Sequence, residues 1–221
     1  MPTQMSAAKA WELLRAGNAR FASHDSHHPN MDADRRRTLR DGQNPIAVVL
    51  ACSDSRVPVE LIFDAGLGDI FVVRTAGEIL GESVMGSISF AVNSLEVPLV
   101  IVLGHEACGA VKAAATAIDG GGIPDDHQRV LIERVTPSIL AARGEGKSAT
   151  DDFERRHAGE VANQLIQRMP KLAAKVADGT VGVVAARYQI TDGTVETLAT
   201  HGGVQEGHAP AEMPPGEPGT Q

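Results

Sequence analysis

Apolar positions along the chain follow two rhythms. Ile46–Cys52 is an unbroken apolar run behind a proline. Its length and β-branched content predict a strand buried on both faces, as in a parallel sheet. Ile70–Arg74 and Leu99–Gly104 repeat the pattern, Thr180–Ala186 gives a fourth strand, and Val195–Ala199 reads as an edge strand. Between them the spacing turns helical, over about residues 58–64, 83–95, 108–118, 127–142 and 152–177. Strands alternating with helices predict an α/β fold, with a mostly parallel central β-sheet of four to five strands flanked by helices.

The two ends read differently. Residues 3–22 form an amphipathic pattern, with Ala7, Trp11, Leu14 and Phe21 near helical spacing. Residues 23–44 are polar and carry Arg35, Arg36, Arg37 and Arg40 beside Asp32, Asp34 and Asp41. That cluster reads as a solvated helix face with local acidic partners. Beyond Gly202 the chain is rich in Gly and Pro and reads as a disordered tail. The layout is an N-terminal helical arm over 1–44, an α/β domain over 45–201 and a tail over 202–221.

Charge and composition narrow the function. A formal net charge of −8 makes a general nucleic-acid or anionic-membrane partner a poor fit. The longest apolar run falls far short of the ~20 residues of a membrane span. The N-terminus has no apolar block of a secretory signal, so the chain is expected in the cytoplasm. Aromatics are 3%, so Val, Ile, Leu and Ala must build the core. The two cysteines, Cys52 and Cys108, suit metal binding or catalysis better than a disulfide scaffold.

Both cysteines stand where chemistry is expected. Cys52-Ser53-Asp54-Ser55-Arg56 follows the first buried strand, and Gly104-His105-Glu106-Ala107-Cys108-Gly109 follows the third. Open α/β sheets bind ligands beyond the carboxyl ends of their strands, so both segments face one crevice if the two strands are neighbours. Two thiolates and one imidazole suit zinc, and three protein ligands leave a fourth position open, as in catalytic sites. Such a zinc is formally neutral and acidifies water less than a tris-histidine site does. It needs an acceptor beside it, and Asp54 is the candidate, kept ionised by a forked pairing with Arg56. With that pair broken, Asp54 is free to become the fourth ligand. His157 and His201 lie in polar surroundings and read as surface residues.

Ala51-Cys-Ser-Asp-Ser-Arg-Val-Pro58, Phe71-Val-Val-Arg-Thr-Ala-Gly77 and Gly104-His-Glu-Ala-Cys-Gly109 together resemble the bacterial β-class carbonic anhydrases, from about Trp11 to Ala199. The resemblance implies reversible hydration of carbon dioxide to bicarbonate and a proton, through a zinc-bound hydroxide oriented by an Asp-Arg dyad. It matches Cys52, His105 and Cys108 to the zinc ligands, one Zn2+ per subunit, and Asp54 and Arg56 to the dyad. Gln43 matches a substrate-binding glutamine and the Gly109 amide an oxygen-binding donor. Phe71, Ala76 and Phe90 fall where the family lines its carbon dioxide pocket, partly from a neighbouring subunit. Phe90 replaces a Tyr and Ala76 a Val of the plant-like branch. Arg74 and Tyr188 match two residues of a bicarbonate pocket found in some bacterial members, but Val49 stands where its Trp would be, so that pocket is incomplete. Arg74 reads as a tie for a strand end. The resemblance also implies self-association to a dimer or dimer of dimers, with the arm laid on the partner to cover Trp11 and Phe21. Hydrolysis of carbon disulfide or carbonyl sulfide on the same fold, and a zinc-holding module without turnover, are the rival functions.

Overall fold

The computed structural model describes residues 5–204. The strands are β1 (Ala47–Cys52), β2 (Ile70–Thr75), β3 (Leu99–His105), β4 (Gly182–Tyr188) and β5 (Val195–His201). The helices are α1 (Ala7–Ala22), α2 (Ala33–Thr38), α3 (Val59–Ile62), α4 (Glu82–Asn93), α5 (Gly109–Ile118), α6 (Arg129–Gly144), α7 (Thr150–Arg168) and α8 (Pro170–Ala177). The sheet has the order β2-β1-β3-β4-β5. Its first three pairings are parallel and β4–β5 is antiparallel. This is the predicted mostly parallel α/β sheet, with five strands.

Every residue of β1, β3 and β4 is buried, because helices cover both faces of the sheet. Period-2 alternation sorts their side chains between the two layers. Val49, Ala51, Ile101, Leu103 and Val184 face α1 and α3. Val48, Leu50, Val100, Val102 and Val183 face α4, α7 and α8. A third cluster joins Cys52 and Cys108 to Val111 of α5 and to Val135 and Ile139 of α6.

Several boundaries differ from those read in the sequence. The predicted strand 180–186 runs instead from Gly182 to Tyr188. Thr180 is held in a turn by Asp178, and the polar Arg187 is buried in the strand by an ion pair. The predicted helix 152–177 is two helices, since Pro170 cannot continue the ladder of α7 and opens α8. Helix α3 is a single turn.

The N-terminal helix finds its surface inside its own chain. Trp11 is 1% exposed and meets the Phe63 ring edge-on at 6.3 Å. Phe21 packs on the same core and lies 6.4 Å from the Tyr188 ring. Trp11 is thus covered within its own chain, while Phe21 is only partly buried there. Gly17 lets α1 close on α3, for a Cβ there would lie 1.9 Å from the Phe63 carbonyl oxygen. Asn18 ties α1 to two distant loops, donating to the carbonyls of Ile62 and Gly193 and accepting from the Val195 amide. Helix α2 buries nothing, as expected of a solvated basic face. Its Arg35, however, reaches across to Asp69 and the Leu67 carbonyl. Of the predicted tail, Gly202–Val204 packs on the domain with Val204 buried, and 205–221 lie outside the described residues.

Asp64 anchors the segment after α1. Its carboxylate accepts from Arg20 at 2.6 Å and from the amides of His27 and His28 at 3.0 and 2.9 Å. Burial opposes its charge, but these donors outweigh burial and lower its pKa. The stability it supplies is therefore present above the unfolded carboxyl value of about 3.9 and lost as pH falls through the lower folded value. Asp64→Ala strands three donors and is expected to cost about 3 kcal/mol in urea unfolding at pH 7. Asp64→Asn is expected to lose stability less steeply than wild type below about pH 4.

A candidate metal centre and active site

Strands β1 and β3 are adjacent and parallel, with Ala51 level with Leu103. The chain leaves β1 toward β2 on one side and returns to β3 on the other. The gap between their carboxyl ends is thus the switch point of the sheet, where the crossover connections diverge. Cys52 ends β1 and His105 ends β3. Cys108 caps the N-terminus of α5. The turn between them is sharpened by Ala107, which takes the left-handed conformation at φ 55°.

The ligand atoms of Cys52, His105 and Cys108 all lie within 4.8 Å of one another, and all three residues are buried. His105 Nδ1 lies 2.8 Å from the Glu106 carbonyl oxygen, to which it donates. This leaves the Nε2 lone pair aimed inward, and buried Nε2 has no hydrogen-bond partner. The two sulfurs cannot both carry charge by themselves. The Cys108 thiol lowers Cys52 by hydrogen bonding to it, and that bond together with burial raises Cys108. An orphaned imidazole nitrogen facing two sulfurs, one already inclined to thiolate, fits a soft divalent cation.

Asp54 and Arg56 stand at the mouth of this cradle. Arg56 Nε and Nη2 donate to the two Asp54 oxygens at 2.9 and 2.7 Å, and its backbone amide donates to Oδ1 at 2.9 Å. This guanidinium holds the Asp54 carboxyl well below the usual carboxylate range. Asp54 Oδ2 lies 3.9 Å from His105 Nε2. Arg56 also donates to the Ala107 carbonyl at 3.1 Å, so it bridges the loops after β1 and β3. Arg74 donates to the carbonyls of Cys52 and Asp54 at 2.9 and 2.6 Å, which is the strand-end tie expected of it.

Supporting residues that were not evident in the sequence lie behind the ligands. The Gly77 amide donates to Cys52 Sγ at 3.2 Å, and Glu154 of α7 accepts from the Cys108 amide at 3.0 Å. Arg187 grips Glu154 Oε2 with two nitrogens, at 3.0 and 2.7 Å. His157 is 1% exposed, so the expected surface position is wrong. Glu154 and His157 sit on the buried stripe of α7 with Phe153, Ala158 and Val161, and that periodicity is the signal that would have found them. Glu78 is buried with Oε2 unpartnered, and desolvation first, then the Cys52 charge, pushes its pKa up to about 8.

The remaining predicted residues are more scattered. The Gly109 amide opens α5 directly after Cys108. Ala76 is exposed just past the end of β2, where Thr75 is level with Cys52. Phe71 is level with Val48, four residues up β1, or about 13 Å from Cys52. Its ring lies 6.3 Å from that of half-exposed Phe90. Gln43 precedes the amino end of β1, opposite to Cys52, in a cavity of about 440 Å³ with Leu39, Arg40 and Gly68. One chain does not gather Gln43, Phe71 and Phe90 around its own cradle.

Fold and site together define an α/β protein with a three-residue metal cradle at the switch point of its sheet. A family model described as carbonic anhydrase matches residues 47–195. A carbonic anhydrase of Mycolicibacterium smegmatis is 47% identical over 197 residues, covering 89% of this chain and 96% of that one. Carbonic anhydrase 2 of Mycobacterium tuberculosis is 47% identical over 184 residues, covering 83% and 89%. Among solved structures, the β-carbonic anhydrase CafA of Aspergillus fumigatus superposes with TM-score 0.65 at 26% identity, covering 82% of this chain and 86% of that one. One of the tetrameric β-carbonic anhydrases of Sordaria macrospora shares the fold, with TM-score 0.69 at 20% identity and coverage of 83% and 94%. The chain belongs to the carbonic anhydrase family, and its fold is that of the β class.

Truncating Glu154 would leave the buried Arg187 guanidinium with Asp151 alone, at 3.2 Å, and the Cys108 amide without an acceptor. Glu154→Ala is expected to cost about 3–5 kcal/mol in urea unfolding. Glu154→Gln keeps an acceptor and is expected to cost less.

Proposed function

We propose that the chain catalyses the reversible hydration of carbon dioxide to bicarbonate and a proton. One observation carries this reading: the Asp54–Arg56 pair sits at the mouth of the Cys52, His105, Cys108 cradle, with its carboxylate 3.9 Å from the orphaned His105 nitrogen. Zinc is the ion whose preference for sulfur and nitrogen in a tetrahedron matches these donors, with a fourth position left open. When bound there, zinc supplies Lewis acidity that acidifies a water molecule.

The chain's own residues do the rest. Asp54 accepts a hydrogen bond from the attacking water and aims its oxygen at carbon. Arg56 occupies the Asp54 oxygens through two N–H donors, which holds that aim and keeps the carboxylate ionised. Arg74, on the carbonyls of Cys52 and Asp54, fixes the backbone beneath the pair. The Gly109 amide opens the ten-residue helix α5, so a free N–H and the positive end of the helix face the place where bicarbonate oxygens gather charge. Carbon dioxide is apolar and needs a dry pocket. Phe71, Phe90 and Gln43 would join Ala76 in that pocket across an interface, since a single chain places them on β2, on α4 and before β1, away from its own cradle. We therefore assign the chain to a dimer or dimer of dimers. Any contact of residues 1–44 with a partner uses faces other than Trp11, which its own chain covers. Among the described residues no helix is long and apolar enough to cross a membrane; the cytoplasm is the location we propose, from the sequence reading alone.

Stopped-flow hydration of carbon dioxide by zinc-loaded protein tests this reading. Rapid turnover is expected, lost on treatment with a chelator and regained with zinc. Asp54→Asn keeps the shape and removes the anionic acceptor, and is expected to lower kcat about 10²- to 10⁴-fold with zinc content unchanged. A zinc-loaded chain that turns over carbonyl sulfide but not carbon dioxide, or neither gas, would sink the assignment.

A further inference from the structure

Behind the Cys52 sulfur runs a chain of three hydrogen bonds that the mechanism does not use. Ser138 of α6 meets His157 Nδ1 at 3.0 Å, and His157 Nε2 meets the Gly77 carbonyl oxygen at 2.8 Å. A carbonyl only accepts, so Nε2 carries the proton and Nδ1 accepts from the Ser138 hydroxyl. Burial, which lowers the His157 pKa, keeps the ring neutral in that one tautomer. On its other side Gly77 donates its amide to Cys52 Sγ at 3.2 Å. Each link is buried.

Gly77 is the weak point of this chain. It holds φ 66° and ψ 29°, a conformation that glycine adopts without steric cost. Close packing demands glycine as well, because a Cβ there would lie 2.7 Å from the Ala110 Cβ. Glycine is also the residue freest to leave that conformation. The direction of its amide follows its φ and ψ, and the His157 bond to its carbonyl fixes the next peptide group and so limits both. An N–H to a thiolate withdraws charge from sulfur and fixes its direction, the way an outer partner tunes a metal ligand.

We propose that His157 is a positioning residue for the metal ligand Cys52, acting through Gly77, whose C=O and N–H belong to the peptide groups on either side of its Cα, with Ser138 setting its tautomer. This rests on the reading of Cys52, His105 and Cys108 as metal ligands. It places the support of the two thiolates on one helix: Glu154 holds the Cys108 amide and His157, three residues on, holds the Cys52 side.

The test compares His157→Gln with His157→Leu by two readouts. One is zinc affinity, from competition with a chromophoric chelator. The other is the thiolate-to-metal charge-transfer band of the cobalt(II)-loaded protein. Glutamine can carry an amide N–H close to the position of Nε2, and leucine cannot. His157→Leu is expected to bind zinc about 10- to 100-fold more weakly and to shift the band, with His157→Gln close to wild type in both. Equal values for both variants, whether at wild-type level or equally displaced, overturn the proposal. If His157→Leu does not fold, His157→Asn replaces it, since its shorter amide stops short of the Gly77 carbonyl and the same contrast with glutamine applies. In ¹¹³Cd-loaded wild type, scalar coupling between the Gly77 amide proton and the metal must appear across the sulfur, and its absence also overturns the proposal. A wild-type chain that takes up none of these ions refutes the metal site and with it the role of His157. A chain that binds them while the variants match it refutes only the latter.

Discussion

The parallel pairing of β1 with β3 is the constraint on which the site depends. Four register pairs, from Val48 with Val100 to Ala51 with Leu103, bring the carboxyl ends of the two strands level. A slip of one residue would turn each side chain to the opposite face of the sheet and carry Cys52 away from His105. Burial on both faces prevents that slip, because each face has its own cover. Trp11, Leu14 and Phe63 fill one side, and Ile88, Ala158 and Leu165 fill the other. The precision of three ligand atoms is thus inherited from some dozens of Val, Ile, Leu and Ala contacts that carry no chemistry.

Around that frame, polar groups are used sparingly and in series. Arg56 spans the loops after β1 and β3, Arg74 pins the first of them, and Glu154 with Arg187 holds the start of α5. Each arginine engages at least two acceptors, which suits a planar fork better than a lysine. The buried pair of Glu154 with Arg187 is poor material for net stability, since both charges leave water. Its return is geometric, because it fixes a backbone amide beside a cysteine sulfur.

Much of this was legible in the residues themselves. The continuous apolar runs gave away the buried parallel strands, and the two cysteines in the segments at the ends of such runs gave away the cradle. The motifs around Cys52, Phe71 and His105 carried the family. The supporting layer was harder to read. The fourth strand was expected to stop at Ala186, short of Arg187, and His157 read as a surface histidine, because local polarity says nothing of a partner 33 or 80 residues away. Burial of Trp11 within its own chain was hidden for the same reason, since the covering ring, Phe63, belongs to another element. Pro170 is a signal in plain view, inside a periodic stretch whose spacing otherwise predicts one helix.

The cradle stands on the two middle strands of a finished sheet, and this sets an order of events. In a zinc finger the ion supplies the folding energy, and the apo chain is unfolded. Here β1 and β3 are held in place by apolar packing over their whole length, with no ligand to the ion needed for their pairing. The cradle is therefore built by the fold itself, and an ion bound there would enter a site already formed. Expression in metal-poor medium should then still yield a folded chain, with metal content set by supply rather than by folding.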